Sequence, residues 1–143
     1  MDELKARALR YLIRREHSRE ELARKLAPHA ASKEILEGTL NWLESTNKLS
    51  NQRFAEIRAH VLARKYGAAR IRQDLQSKGV SEAIAARAVA ELDDVAKARE
   101  ILARKYRAPA TSREERAKRA RFLQSRGFSG EVIRRLVLRR EEG

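Results

Sequence analysis

The side chains of this sequence best equipped for chemistry are its arginines. There are 24 of them beside 9 lysines, against 20 carboxylates, for a formal charge of +13. Guanidinium groups grip phosphate or carboxylate bidentately. A surface that neutralises phosphates binds nucleic acid with strong salt dependence and little sequence preference. The cations are unevenly spread: residues 1–50 carry 10 basic and 8 acidic side chains, residues 51–95 carry 8 and 6, and residues 96–143 carry 15 and 6, so the excess runs +2, +2 and +9. In the last stretch Lys97, Arg99, Arg104, Lys105, Arg107, Arg113, Arg116, Lys118, Arg119, Arg121 and Arg126 form a run relieved only by Glu100, Glu114 and Glu115. Such concentration argues for an oriented polyanion contact over a merely solvated surface. The tail Arg139-Arg140-Glu141-Glu142 nearly cancels itself and reads as a frayed end.

Other chemistries find little support. His17, His29 and His60 are the only histidines, and none has a histidine partner at metal-ligand spacing. There is no cysteine, which excludes disulfides and thiolate sites. No Ser-His-Asp order, zinc-protease helix, P-loop or dinucleotide fingerprint occurs. Most of the acids stand in first helical turns or four residues from a cation, where dipole and ion-pair roles suffice. No catalytic site, metal or cofactor is therefore expected. The aromatics Tyr11, Trp42, Phe54, Tyr66, Tyr106, Phe122 and Phe128 could stack on bases; their places in apolar stripes, and the recurrence of Tyr66 as Tyr106, favour packing.

The elements that must position these groups are helices. Ala, Leu, Lys, Arg, Glu and Gln supply 92 of 143 residues, against 16 β-branched ones. Leu62-Ala63-Arg64-Lys65-Tyr66 returns as Leu102-Ala103-Arg104-Lys105-Tyr106, and Leu75-Gln76-Ser77-Lys78-Gly79-Val80-Ser81 as Leu123-Gln124-Ser125-Arg126-Gly127-Phe128-Ser129. At a shift of 49 the first third overlays the middle one, Leu22 and Leu26 falling on Ile71 and Leu75. The chain reads as three copies of a three-helix unit, at 1–50, 51–93 and 94–143.

Local signals divide each copy. Ser18 and Glu21 have capping-box spacing. Gly79 and Gly127 suit left-handed helix ends and are followed by the capping serines Ser81 and Ser129. Gly67 and Pro109 break the middle and last copies. Helices are predicted at 3–16, 19–28, 33–45, 51–65, 68–78, 82–92, 94–106, 113–126 and 130–141. Narrow, alanine-rich stripes, such as Phe54, Ile57, Val61 and Leu62, predict thin cores that lean on their neighbours in an elongated, curved all-α array. No apolar run approaches the length of a membrane span, and a soluble cytoplasmic protein is expected. The scarcity of apolar positions left for the surface points to a monomer.

Ala8-Leu9, Tyr11-Leu12, Arg15, Ser18, Glu21-Leu22 and Leu26 resemble the first signature of RecX proteins, regulators of the recombinase RecA. Arg53-Phe54-Ala55, Tyr66-Gly67, Ile71, Leu75 and Lys78-Gly79-Val80 resemble the central signature, and Lys118 through Phe122-Leu123 with Arg126-Gly127-Phe128 the closing one. The resemblance covers nearly the whole chain. It implies three tandem three-helix repeats, binding to the RecA nucleoprotein filament within its groove, and inhibition of strand exchange, ATP hydrolysis and co-protease activity. It also implies direct DNA binding by some members. With charge concentrated in the last repeat, the residues expected to face the filament or its DNA are Arg70, Arg72, Lys78, Arg104, Lys105, Arg116, Lys118, Arg119, Arg121 and Arg126.

Overall fold

The computed structural model describes residues 1–138, and no strand occurs among them. The tail from Arg139, and with it the end of the last expected helix, lies outside the described residues. The helices are α1 (Asp2–Arg14), α2 (Arg19–Leu26), α3 (Lys33–Ser45), α4 (Asn51–Leu62), α5 (Ala68–Ser77), α6 (Glu82–Val89), α7 (Asp94–Lys105), α8 (Arg113–Ser125) and α9 (Gly130–Ile133). A 3-10 turn, Ala27–His29, follows α2, and a π-helical stretch, Arg134–Leu138, continues α9.

Side-chain caps start these helices where short polar residues stand before them. Ser18 accepts from the Glu21 N–H at 3.1 Å while the Glu21 carboxylate accepts from the Ser18 N–H at 3.2 Å, completing the expected box. Ser32, Ser50, Ser81, Ser112 and Ser129 each accept the N–H three residues on, as does Asp93 at the start of α7. The ends are equally local. At Gly79, with φ +85°, the Val80 N–H donates to the Leu75 carbonyl; at Gly127, with φ +89°, the Phe128 N–H donates to that of Leu123. Asn47, at φ 59°, closes α3 in the same manner.

The chain divides into two compact units, one of Met1–Arg58 with Leu75–Ala88, the other of Ala59–Asp74 with everything from Val89 onward. In the first, Leu4, Ala8, Leu22, Leu26, Leu40, Leu43 and Leu49 make the core, flanked by Leu36 and Trp42. In the second, Ala98, Ile101, Leu123, Phe128, Val132, Ile133 and Val137 do so, flanked by Leu102 and Phe122. The stripe expected on α4 is corrected: Phe54 is buried, but Ile57 and Val61 are exposed, and Ala55, Ala59 and Ala63 are buried in their place.

One junction occurs in both units. In the first, the side chain of Asn51, which opens α4, accepts the N–H of Arg19, which opens α2, at 2.8 Å; the Ser18 hydroxyl meanwhile donates to the Lys78 carbonyl at 2.7 Å. In the second, the carboxylate of Asp94, which opens α7, accepts the N–H of Ala68, which opens α5, at 3.2 Å; the Gly67 N–H donates to the Arg126 carbonyl at 2.8 Å. Each opening residue satisfies a helix-start donor that its own helix cannot reach. Burial raises the Asp94 carboxyl above its ordinary range, opposed by the Ala68 N–H and reinforced by Asp93.

His17 is buried in the first unit. Its Nε2 lies 2.8 Å from Lys25 Nζ and its Nδ1 3.0 Å from the Arg15 carbonyl oxygen. Lysine can only donate, so Nε2 accepts, Nδ1–H donates, and the imidazole is neutral. Burial, with the Arg15 and Lys25 charges, holds its pKa below the usual value against the Arg15 carbonyl and Glu21. The unfolded chain therefore binds this proton at a pH where the folded chain refuses it, and stability falls as pH drops through and below about 6.5. Urea midpoints measured between about pH 7.5 and about pH 5.5 should decline, and His17→Gln should flatten the decline. A separate loss sets in below the ordinary carboxylate range. There the Arg15 and Ser18 bonds to Glu21 outweigh its burial, which opposes them, and hold its carboxyl low.

Candidate functional site

The basic residues of the second unit are organised by three rings. Tyr66 stands in the turn before α5, Tyr106 directly after α7, and Phe122 in the last turn of α8. Tyr106 and Phe122 meet edge to face, with centroids 6.1 Å apart. Each ring has two cations close to it. Tyr106 has Arg119 at 4.4 Å and Lys105 at 5.9 Å; Phe122 has Lys105 at 4.7 Å and Arg126 at 4.9 Å; Tyr66 has Arg126 at 5.6 Å and Arg70 at 4.6 Å. The result is an unbroken alternation, Arg119, Tyr106, Lys105, Phe122, Arg126, Tyr66, Arg70. A ring face carries negative quadrupolar potential, so each interposed ring offsets part of the repulsion between neighbouring cations, about 0.5–1 kcal/mol per exposed contact.

Backbone carbonyls hold the same side chains from the other end. Arg119 donates to the Ala108 carbonyl at 2.8 Å, Arg104 to that of Arg64 at 2.6 Å, Arg126 to that of Lys65 at 3.4 Å, and Arg70 to that of Ser125. A guanidinium has five N–H donors, so one internal bond leaves most of its edge for a ligand. None of Arg70, Arg104, Lys105, Arg119 and Arg126 forms an ion pair with a carboxylate among the described residues. The nearest compensation is at Glu115, whose carboxyl is lowered first by the Thr111 N–H and in smaller part by Arg119 and Arg116. A row of guanidinium groups fixed by stacking and left uncompensated is suited to a run of phosphates or carboxylates.

Among the sequence-derived candidates, Arg70, Lys105, Arg119 and Arg126 thus come together through the rings, with Arg104 bonded beside them. Lys118 and Arg121 are exposed on α8 and make no hydrogen bond or ion pair with the described residues. Arg116 sits on the same helix near Glu115, Arg72 is half-buried on α5, and Lys78 belongs to the first unit. The rings, expected from sequence to serve packing, also carry these cation contacts. Packing does account for the Tyr106–Phe122 contact, and of the recurring Arg-Lys-Tyr steps only Lys105 supplies a cation to a ring; the others come from residues distant in sequence. Among the described residues no group of three or more His, Asp or Glu side chains could hold a metal ion. No helix there is long and apolar enough to cross a membrane.

Tandem three-helix units, with no strand among the described residues, define a class of all-α helical-repeat protein. Models of the first, second and third three-helix domains of RecX match residues 5–43, 50–89 and 92–137, and the chain belongs to the RecX family. It is 46% identical over 136 residues to the regulatory protein RecX of Ralstonia nicotianae, spanning 94% of this chain and 86% of that one. With the regulatory protein RecX of Herbaspirillum seropedicae it shares 49% identity over 133 residues, 92% of this chain and 86% of the other. The crystal structure of RecX from Lactobacillus salivarius superposes with a TM-score of 0.83 at 23% identity, covering 96% of this chain and 94% of that one. Its curated relatives are named as regulatory proteins, which sets the general role.

Proposed function

We propose that this chain binds the RecA nucleoprotein filament and restrains RecA-dependent strand exchange, ATP hydrolysis and co-protease activity, so modulating recombinational DNA repair and the SOS response. It acts by binding and not by catalysis, in the cytoplasm where the filament forms. The observation that carries the reading is the alternation of cations and rings from Arg119 to Arg70, with exposed Lys118 and Arg121 beside it, on a member of the RecX family. A nucleoprotein filament presents repeated anionic groups, and a chain built of repeats can meet several of them. Each contact raises the effective concentration for the next, so weak single contacts add to firm attachment.

The test is RecA-catalysed ATP hydrolysis on single-stranded DNA with increasing amounts of this chain. Inhibition is expected at ratios far below those needed to coat the DNA. Inhibition only at coating ratios, relieved by excess DNA, would instead identify a general nucleic-acid-binding module that acts without RecA, since stacked guanidinium groups hold any phosphate backbone.

A further inference from the structure

The first repeat carries almost no net charge, yet its charges are sorted. Of its carboxylates, Glu16 pairs with Arg53, Glu20 with Arg24, Glu21 with Arg15, and Glu37 and Glu44 both with Arg19. Lys5 and Lys48 lie over Trp42, and Lys25 lies against His17 and over Tyr11. Five of the eight acids are thus paired with one set of cations, and another set is left over. Arg7, Arg10 and Arg14, all on α1, make no hydrogen bond or ion pair with the described residues. Their spacing of three and four places them on one helix face.

That face is concave. Arg7 and Arg10 line a cavity of about 530 Å³ together with His29 from the turn after α2, Leu4, Ala6 and a single carboxylate, Glu3. Two guanidinium groups and an imidazole line it, and neither arginine has an ion-pair partner among the described residues. From Arg7 to Arg14 the helix rises about 10 Å, a length over which a nucleic-acid strand presents more than one phosphate.

We propose that this cavity and the α1 stripe form a second phosphate-binding site, taking the sugar-phosphate backbone of a single nucleic-acid strand. Arg7 and Arg10 grip phosphate oxygens, His29 donates from the opposite wall, and Arg14 extends the contact along the strand. The site lies in the first unit and does not depend on the rings of the second.

The direct test uses the full chain without RecA. Binding of a fluorescein-labelled oligothymidylate is followed by anisotropy across a salt series, for the unaltered chain, for R7A/R10A and, as a control, for K33A at an exposed lysine on α3. R7A/R10A is expected to weaken binding by roughly tenfold and to make the slope of log K against log salt shallower by about 1.4, near 0.7 per lost phosphate contact. K33A should leave both unchanged. H29Q, which removes no arginine and lies outside the helices, should weaken binding about threefold and so covers the case in which the double variant is poorly folded. An unaltered salt slope in R7A/R10A overturns the proposal. So does a chain that binds no oligonucleotide, or variants that lose affinity for polyglutamate while keeping it for the oligonucleotide.

Discussion

Replacing Gly67 by alanine is expected to cost about 2–4 kcal/mol of stability, read as a lower urea midpoint by far-UV circular dichroism. A β-carbon at this position would lie 2.6 Å from the Gly127 carbonyl oxygen, 2.9 Å from its carbonyl carbon and 2.9 Å from the Phe128 ring. Two of the three obstacles are backbone, so no rotamer change relieves them. Moving the segments apart would break the Gly67 N–H bond to the Arg126 carbonyl. It would also separate Tyr66, next to Gly67, from Arg126, whose carbonyl accepts that bond, and so open the cation–ring alternation. Gly38→Ala is the contrasting case. There the new methyl meets only the mobile end of the Met1 side chain, and a glycine inside α3 is replaced by the best helix former, worth about 0.5–1 kcal/mol of added stability. Equal midpoints for G67A and the parent would show that the close approach is absent in solution.

Reversing Lys118 and Arg121 to glutamate should raise the concentration for half-inhibition of RecA ATP hydrolysis by about tenfold or more while leaving the urea midpoint within about 0.5 kcal/mol of the parent. Both side chains are exposed and neither holds another part of the chain, so the fold has little stake in their sign. Arg119, between them, is a poorer probe. It covers Tyr106 and bonds the Ala108 carbonyl, and its reversal would confuse contact with structure. Comparison with Arg126→Lys separates charge from geometry: lysine keeps the charge but cannot match the planar fork that meets Phe122, Tyr66 and the Lys65 carbonyl. Inhibition by K118E/R121E equal to that of the parent would remove this face of α8 from the filament contact.

The parts of this molecule legible in its sequence are those decided within about five residues. The Ser18–Glu21 box, the glycine ends at Gly79 and Gly127 and the serines that follow them depend on short-range backbone geometry, and helices form where they say. Long-range duties were not legible. Asn51 and Asp94 read only as helix openings, yet each caps a helix from an earlier repeat. Hydropathy alone points Ile57 and Val61 inwards on α4, whereas the buried side carries Phe54, Ala55, Ala59 and Ala63, a choice that single-helix patterning does not specify. Charge counting located the last repeat's excess and overlooked Arg7, Arg10 and Arg14, because a near-zero sum conceals which cations have partners. The three rings were read for packing, and their second role emerged only once cations from three separate elements were seen to converge on them.

The recurring junction has a consequence for how such a chain can change length. Asn51 in one copy does the work of Asp94 in the other, and the Ser18 hydroxyl does that of the Gly67 amide, so the joint depends on where a donor or acceptor sits and little on which residue supplies it. A genetic event that excises or duplicates one whole period would rejoin parts that already fit. Between the joints the chain has more latitude: Tyr106 and Leu123 stand eight residues farther apart than Tyr66 and Leu75, and the junction is kept.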